Sequence, residues 1–120
     1  MRTLLCSLLT STLLLAPTAV LAEGAAPESA RRAELVRMVR QDCGSCHGLT
    51  LSGGLGPALT VEALAQSPSN RDALIATVFS GRRGTAMPPF SSLLSEDEIT
   101  WIVDELLRGF PPDPGPQPAR

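Results

Sequence analysis

The amino-acid sequence predicts an all-α fold, and three observations support this prediction. Apolar residues recur at helical spacing in three segments, and no segment alternates apolar and polar residues with the period of a strand. Two short stretches carry a hydroxyl residue followed three positions later by an acid, which is the spacing of a helix-opening capping box. The chain is 43% hydrophobic but only 3% aromatic, so a bound apolar group would help to fill an otherwise thin core.

Residues 1–22 have the order of features typical of a secretory signal peptide. Arg2 precedes an apolar run from Leu4 to Leu15, and Val20-Leu21-Ala22 offers small residues for cleavage. The run is shorter than the about 20 residues that a bilayer span needs, although an uncleaved anchor helix is the alternative. Cleavage would leave a mature chain that begins at Glu23 and contains no segment able to cross a membrane.

The first helix is predicted over Ala30–Gln41, with Ser29 as its N-cap. Leu35, Met38 and Val39 fall on one side of this helix at positions i, i+3 and i+4. The glycine-rich residues 42–59 that follow are predicted to form a loop, or backbone that must approach something closely.

Three further helices are predicted. A short one covers residues 61–66 after Thr60, a second covers about 70–80 behind a capping box at Ser69–Asp72, and the last runs from Ser95–Glu98 to about Arg108. Gly81 and Gly109 are the expected stop signals. The folded domain is therefore expected over residues 23–110, and the proline-rich residues 111–120 are expected to be a disordered tail.

Length and charge limit what the protein can do. With 120 residues the chain has room for one small domain and not for a multidomain enzyme. Twelve acids against ten arginines give a net charge of −2. This balance argues against nucleic acid as the main partner, because phosphate binding needs clustered positive charge.

The pentapeptide Cys43-Gly44-Ser45-Cys46-His47 has the C-x-x-C-H spacing of a c-type haem attachment site. Two intervening residues let both thiols reach the two vinyl groups of one porphyrin, and the adjacent imidazole is then held under the ring. Three other interpretations use these residues: a disulfide between the two cysteines, a thioredoxin-like redox pair and half of a zinc site. The redox pair would need a preceding strand, and the zinc site would need a second pair of Cys or His ligands.

A haem iron bound by His47 needs a ligand on its other face, and the sequence has no second histidine. Of the three methionines, Met1 would leave with the signal peptide and Met38 has the spacing of a core residue. Met87 lies in a proline-stiffened loop forty residues after His47, and its thioether suits reduced iron. We therefore expect His47 and Met87 as metal ligands, with a gap-filling methionine as the alternative for Met87.

Leu55-Gly56-Pro57 offers an acceptor for the second ring nitrogen of His47. A ligating histidine usually donates its other N–H to a fixed acceptor, which sets its tautomer and orientation. The carbonyl oxygen of Pro57, ten residues after His47, is the candidate. A plain turn is the alternative.

Together these motifs resemble the small class I monohaem cytochromes c. More narrowly, residues 48–60 and 81–89 look like those of the NirC-like periplasmic cytochromes, which are encoded beside the cytochrome cd nitrite reductase of denitrifying bacteria. The chain departs from the family where Val39 and Glu105 replace aromatic residues, and Trp101 is expected to supply the missing bulk. The matching motifs are C-G-S-C-H-G at residues 43–48, G-x-G-P at 54–57, A-M-P-P-F at 86–90 and L-S-E-D-E-I at 94–99.

The resemblance implies three to five helices around one haem c, attached covalently through Cys43 and Cys46. It implies a periplasmic electron carrier and not an enzyme, since an iron with two protein ligands has no open position for substrate. The implied partners are periplasmic redox proteins, with nitrite reductase as acceptor and an upstream cytochrome or quinol-oxidising complex as donor. The carrier is expected to be a monomer.

Two questions stay open at this point. An accessory electron-transfer role in making or inserting the haem d-type cofactor of nitrite reductase is the alternative to the shuttle role. Arg82 and Arg83 flank Met87 and have three interpretations: partners of a haem propionate, steering charges for an acidic protein, or solvated loop charges.

Overall fold

The structure is a computed structural model of the chain, and it describes residues 26–115. The predicted signal peptide at residues 1–22 lies outside these residues, as do residues 116–120 of the predicted tail. Within residues 26–115 the regular structure is helical and contains no strand, which confirms the predicted fold class. No helix in this part of the chain is long and apolar enough to cross a lipid bilayer.

Four helical bodies follow one another along the described chain. The first joins two α-helices through a wide π-helical turn without interruption, and the last is the longest. The last helix packs against the two helices that precede it. The elements are α1 (Ser29–Met38), the π-helical turn (Val39–Cys43), α2 (Gly44–His47), α3 (Val61–Ala65), α4 (Arg71–Ser80) and α5 (Glu96–Arg108).

The first helical body begins earlier and ends later than the sequence predicts. Ser29 is its first helical residue and not its cap, because Glu28 stands at the N-cap and makes no side-chain capping bond. At the other end the helix continues to His47, so the prediction of loop for residues 42–47 was wrong. Gly44 has helical backbone angles, and a Cβ on it would lie 3.3 Å from Cα of Leu49. This glycine therefore serves close packing within a helix and not a turn.

The start of α4 also differs from its prediction. The expected capping box at Ser69–Asp72 does not form, and Asn70 caps the helix instead. Its Oδ1 accepts a hydrogen bond from the amide of Ala73 at 2.9 Å. Asparagine and serine are about equally good N-caps, so local sequence alone does not separate the two neighbouring candidates.

The starts of α3 and α5 confirm their predictions. Thr60 caps α3 through its hydroxyl. At α5 the capping box is complete: Ser95 Oγ accepts from the amide of Glu98 at 3.2 Å, and Glu98 Oε2 accepts from the amide of Ser95 at 2.9 Å. The caps fix where α5 begins and hence which of its faces meets the core.

The core lies where the first helical body meets α5. Leu35 and Val39 are fully buried there, in the same apolar cluster as Ile99 and Ile102 of α5. An ion pair of 2.6 Å between Arg31 and Glu98 closes the edge of this contact. At the two positions where the family often has aromatics, Val39 is a fully buried core residue and Glu105 pairs with Arg108. Trp101, expected to supply the missing bulk, packs half-buried against the core cluster.

The Arg31–Glu98 pair predicts an acid-dependent loss of stability. The Arg31 side chain, helped by the backbone amide of Ser95, holds the pKa of Glu98 below its usual range. The contribution of Glu98 is therefore fully present above its unfolded pKa of about 4.3 and is lost as the pH falls through the lower folded value. Glu98→Gln should cost up to about 1 kcal/mol at pH 7 and progressively less below pH 4, measured as Tm by circular dichroism.

The matched control is Glu96→Gln, in the same first turn of α5. Both substitutions weaken the favourable interaction of acid with the helix dipole, but only Glu98 is paired with Arg31. Equal losses of Tm in the two variants at pH 7 would show that the dipole, and not the ion pair, accounts for the effect.

Candidate functional site

A cleft of about 550 Å³ lies between the first helical body and helices α3 to α5. Its volume falls within the range of about 300–1,000 Å³ typical of cofactor sites. Its walls are mostly apolar side chains, with a few hydroxyl and charged groups among them. All the residues predicted for the site contribute to its lining: Cys43, Cys46, His47, Pro57 and Met87.

The π-helical turn and α2 place the two thiols and the imidazole on one face of a helix. Cys46 and His47 follow Cys43 by three and four positions, and residues so spaced are neighbours on a helix surface. The two thiols and the imidazole therefore lie close together because they share one face of a helix, and not because a loop brings them together. A π-helical turn at this place is in keeping with the frequent occurrence of such turns at functional sites.

The imidazole of His47 is held in one orientation by the loop that follows it. Its Nδ1 lies 2.7 Å from the carbonyl oxygen of Pro57. Because a carbonyl oxygen can only accept, Nδ1 carries a proton, and in the neutral ring Nε2 then keeps its lone pair. This is the tautomer that a metal-ligating histidine needs.

The glycine-rich loop of residues 48–59 folds back onto the end of α2. The amide of Gly53 donates to the carbonyl of His47, and the amide of Gly56 donates to that of Cys46, both at 2.8 Å. These carbonyls lie in the last turn of the helix, where no intrahelical donor is available. A Cβ at Gly54 would lie 2.7 Å from the Cys46 oxygen, so the loop reaches this distance only without a side chain there.

Gly56 lies directly against the imidazole. A Cβ on this residue would stand 2.7 Å from both Nδ1 and Cε1 of His47. The φ angle of Gly56 is not in the left-handed region. The glycine is therefore required by the closeness of the ring and not by the backbone conformation.

Met87 is positioned by a closed turn after α4. The amide of Arg82 donates to the Met87 carbonyl at 3.1 Å, and the amide of Met87 donates to Thr85 Oγ1 at 3.3 Å. Gly81 has a φ of 68°, and a Cβ there would lie 2.8 Å from the Met87 oxygen. Beyond the prolines, the amide of buried Phe90 donates to a carbonyl of α4, which ties the loop down.

The environment of the cysteines bears on the competing interpretations of the motif. The two thiols are not joined in a disulfide, and a helix precedes them where a thioredoxin-like site would need a strand. Burial, and after it the Asp42 carboxylate, raises the pKa of the Cys43 thiol to about 11. Redox-active cysteines have lowered values instead. Within residues 26–115, no three His, Cys, Asp or Glu side chains are grouped as a zinc site would require.

The donor set of the cleft fits a covalently bound haem. The two thiols suit addition to the vinyl groups, and the free Nε2 of His47 and the thioether of Met87 are both established types of axial ligand. The apolar walls suit a porphyrin face. The cleft needs no further protein ligand for this group.

Sequence reasoning overlooked Thr85 and assigned Gly81 only the role of a helix stop. Thr85 orients the Met87 backbone, and Gly81 permits the Met87–Pro88 backbone to approach the end of α4. A hydroxyl residue two positions before an amide that it can accept from is a known turn motif, so Thr85 carried a weak signal. The contact made by Gly81 gave no signal in the sequence, because it depends on the tertiary course of the loop.

Comparisons with known proteins agree with this chemistry. Residues 30–104 match the family model described as "Cytochrome C oxidase, cbb3-type, subunit III". Cytochrome c55X of Stutzerimonas stutzeri is 59% identical over 91 residues, covering 76% of this chain and 79% of that protein. Cytochrome c55X of Paracoccus denitrificans is 50% identical over 97 residues, covering 79% and 87%. The solved structure of a c-type cytochrome NirC is 55% identical with a TM-score of 0.64, covering 68% of this chain and 94% of that one.

The contact between Gly56 and the imidazole predicts a cost for any side chain at that position. Gly56→Ala would push a methyl group into the His47 ring, and overpacking of this kind typically costs about 1–3 kcal/mol. We expect a lower Tm and less covalently bound haem per protein after expression in cells that mature c-type cytochromes.

The matched control is Gly84→Ala. Gly84 has a φ of 76°, so alanine is strained there, but nothing lies within 4 Å of the added carbon. Its haem content should stay at the wild-type level. A Gly56→Ala protein with wild-type haem content and Tm would show that the imidazole is not held as tightly as the structure indicates.

Proposed function

The chain belongs to the class I monohaem cytochromes c, in the group of the NirC-like cytochromes, and we propose that it carries electrons in the periplasm to nitrite reductase. The family establishes a c-type cytochrome and electron carrier. The compartment, the partner and the residues that hold the haem are the proposal. The observation that supports it most is that two thiols, a single imidazole and a thioether line the same apolar cleft.

The proposed site uses four side chains in three ways. Cys43 and Cys46 would hold one haem c through thioether bonds, and Nε2 of His47 would bind its iron. Met87, brought to the cleft by the closed turn that begins at Arg82, would supply the second protein ligand. A haem c held in this way supplies one Fe(II)/Fe(III) couple whose potential is raised by methionine ligation.

The protein surroundings suit electron carriage in two respects. The His47 ring is fixed by the Pro57 carbonyl and Met87 by two backbone hydrogen bonds, so the ligands need little rearrangement when the charge of the iron changes. If His47 and Met87 both bind the iron, the site would leave no position for a substrate. The surroundings thus favour transfer of electrons over bond chemistry.

The cleft also borders the protein surface. Ser45, between the two cysteines, is exposed, and so are Ala86 and Pro88 on either side of Met87. A redox partner that touches these small residues comes close to the proposed haem edge. A small, weak contact of this kind is typical of transient electron-transfer complexes.

The compartment and partner rest on the sequence. The order of charge, apolar run and small residues in residues 1–22 is that of an export signal. Nitrite reductase is proposed as acceptor because the loops around the motif and around Met87 resemble those of cytochromes encoded beside that enzyme. An upstream cytochrome or quinol-oxidising complex would be the donor, and the proposed carrier is a monomer.

The ligand assignment predicts a spectroscopic signature. The ferric protein should show the weak long-wavelength charge-transfer band of sulfur-bound haem, and Met87→Ala should abolish it. Met38→Leu is the matched control, because Met38 is also a partly buried methionine but packs against the core and does not line the cleft. A wild-type spectrum without the band, or a band that survives in Met87→Ala, would contradict the assignment.

The partner assignment predicts rapid oxidation of the reduced protein by purified cytochrome cd nitrite reductase with nitrite. Stopped-flow absorbance should give a rate well above that of an unrelated class I cytochrome of similar potential. Equal rates would count against nitrite reductase as the physiological acceptor. A deletion strain whose nitrite reductase lacks its haem d-type cofactor would favour the maturation role instead.

A further inference from the structure

We propose that Arg82, and not its neighbour Arg83, pairs with a propionate carboxylate of the haem and raises the reduction potential through its charge. This inference rests on the proposed haem site. The two arginines are adjacent in sequence, carry the same charge and flank the same ligand, so they are indistinguishable in the sequence. The structure separates them.

Both arginines are exposed, but only Arg82 contributes to the lining of the cleft. Among the described residues, Arg82 is the only arginine in the lining. The one acid there, Asp42, lies beside Cys43 at the attachment motif. Asp42 would repel a bound carboxylate, and Arg82 would attract it. The charges of the cleft therefore favour a carboxylate beside Arg82.

The position of Arg82 is fixed by its own backbone. Its amide donates to the Met87 carbonyl at 3.1 Å, and its carbonyl accepts from the amide of Thr85 at 3.1 Å and from Thr85 Oγ1 at 2.8 Å. The backbone of Arg82 is thus locked to the backbone of the proposed iron ligand. The point from which its side chain starts therefore lies at a set place beside Met87, and the exposed guanidinium extends from there.

The guanidinium of Arg82 is also available. Within residues 26–115 it makes no ion pair, in contrast to Arg31, Arg71 and Arg108, which are each matched with an acid. Arg40 is likewise engaged, because it donates to the carbonyls of Phe110 and Pro111 just after α5. An arginine that lines an apolar cleft without an acidic partner suits a planar carboxylate, which a guanidinium binds in a bidentate manner.

The pairing has a consequence for redox behaviour. A positive charge near the iron favours the ferrous state, because that state carries one positive charge fewer. Neutralising Arg82 removes this charge and leaves the propionate unpaired, and both changes favour the ferric state. Neutralising Arg83 removes only a solvated charge, whose effect is weakened by water and salt.

The test compares Arg82→Gln with Arg83→Gln in the haem-loaded protein. A pyridine haemochrome spectrum and the sulfur charge-transfer band are recorded first, so that a failure of the haem site itself is recognised separately. At one fixed solution potential, the ratio of ferrous to ferric protein should fall by about threefold or more in Arg82→Gln and change less than about twofold in Arg83→Gln. The Arg82→Gln effect should persist at high salt, and equal or absent effects would overturn the proposal.

A second pair of variants covers the case in which Arg82→Gln does not accumulate with haem. Arg82→Lys keeps the charge but loses the planar bidentate geometry. The propionate bending band in the resonance Raman spectrum should therefore shift in Arg82→Lys and stay unchanged in Arg83→Lys. An unchanged band in both variants would overturn the pairing.

Discussion

The hydrogen bond from His47 Nδ1 to the Pro57 carbonyl is the contact on which the rest of the site depends. It can form only if the loop of residues 48–59 returns to the end of α2, and that return is stabilised by the amides of Gly53 and Gly56 on the last helical carbonyls. The loop then lies so close to the ring that a methyl group at Gly56 would collide with it. The end of α2, the course of the loop and the tautomer of the imidazole are thus coupled, because each needs the same few backbone contacts.

The opposite wall of the cleft is built in a similar way from different residues. α4 ends at Gly81, whose left-handed backbone lets the chain pass close to Met87, and a turn through Arg82 and Thr85 brings the thioether to the cleft. Buried Phe90 then ties the loop to α4. On both sides, a glycine placed where backbone must approach closely allows a short loop to present one proposed ligand at a defined position. Rigid presentation of this kind suits a group that changes charge without changing its coordination.

The sequence was sufficient at several places where the determining contacts are local. The capping box at Ser95 is confirmed, and so are the stop signals after α4 and α5, because they depend on residues within four positions of each other. It was misleading at Gly44, where contact with Leu49 makes glycine useful inside a helix. It had no means of separating Arg82 from Arg83, since which of two adjacent side chains faces a cleft depends on how the loop packs on α4 and α5. The errors therefore lie where tertiary contact overrides local preference or, as at Ser69 and Asn70, where two neighbouring residues are about equally good caps.

The scarcity of aromatic residues and the shape of the cleft have one explanation. None of the residues of α4 is fully buried, although the helix is largely apolar, and Leu74 and Val78 on its inner side line the cleft. The interior of this small domain is therefore shared between a protein core around Val39 and Ile99 and the apolar walls of the cleft. A group bound to the folded chain and not to the unfolded one stabilises the fold by mass action. A group held by covalent bonds, as proposed at Cys43 and Cys46, stays with the unfolded chain as well, so it stabilises the fold through the contacts that only the folded cleft makes with it. Those contacts suit a chain too short to bury a large core of its own.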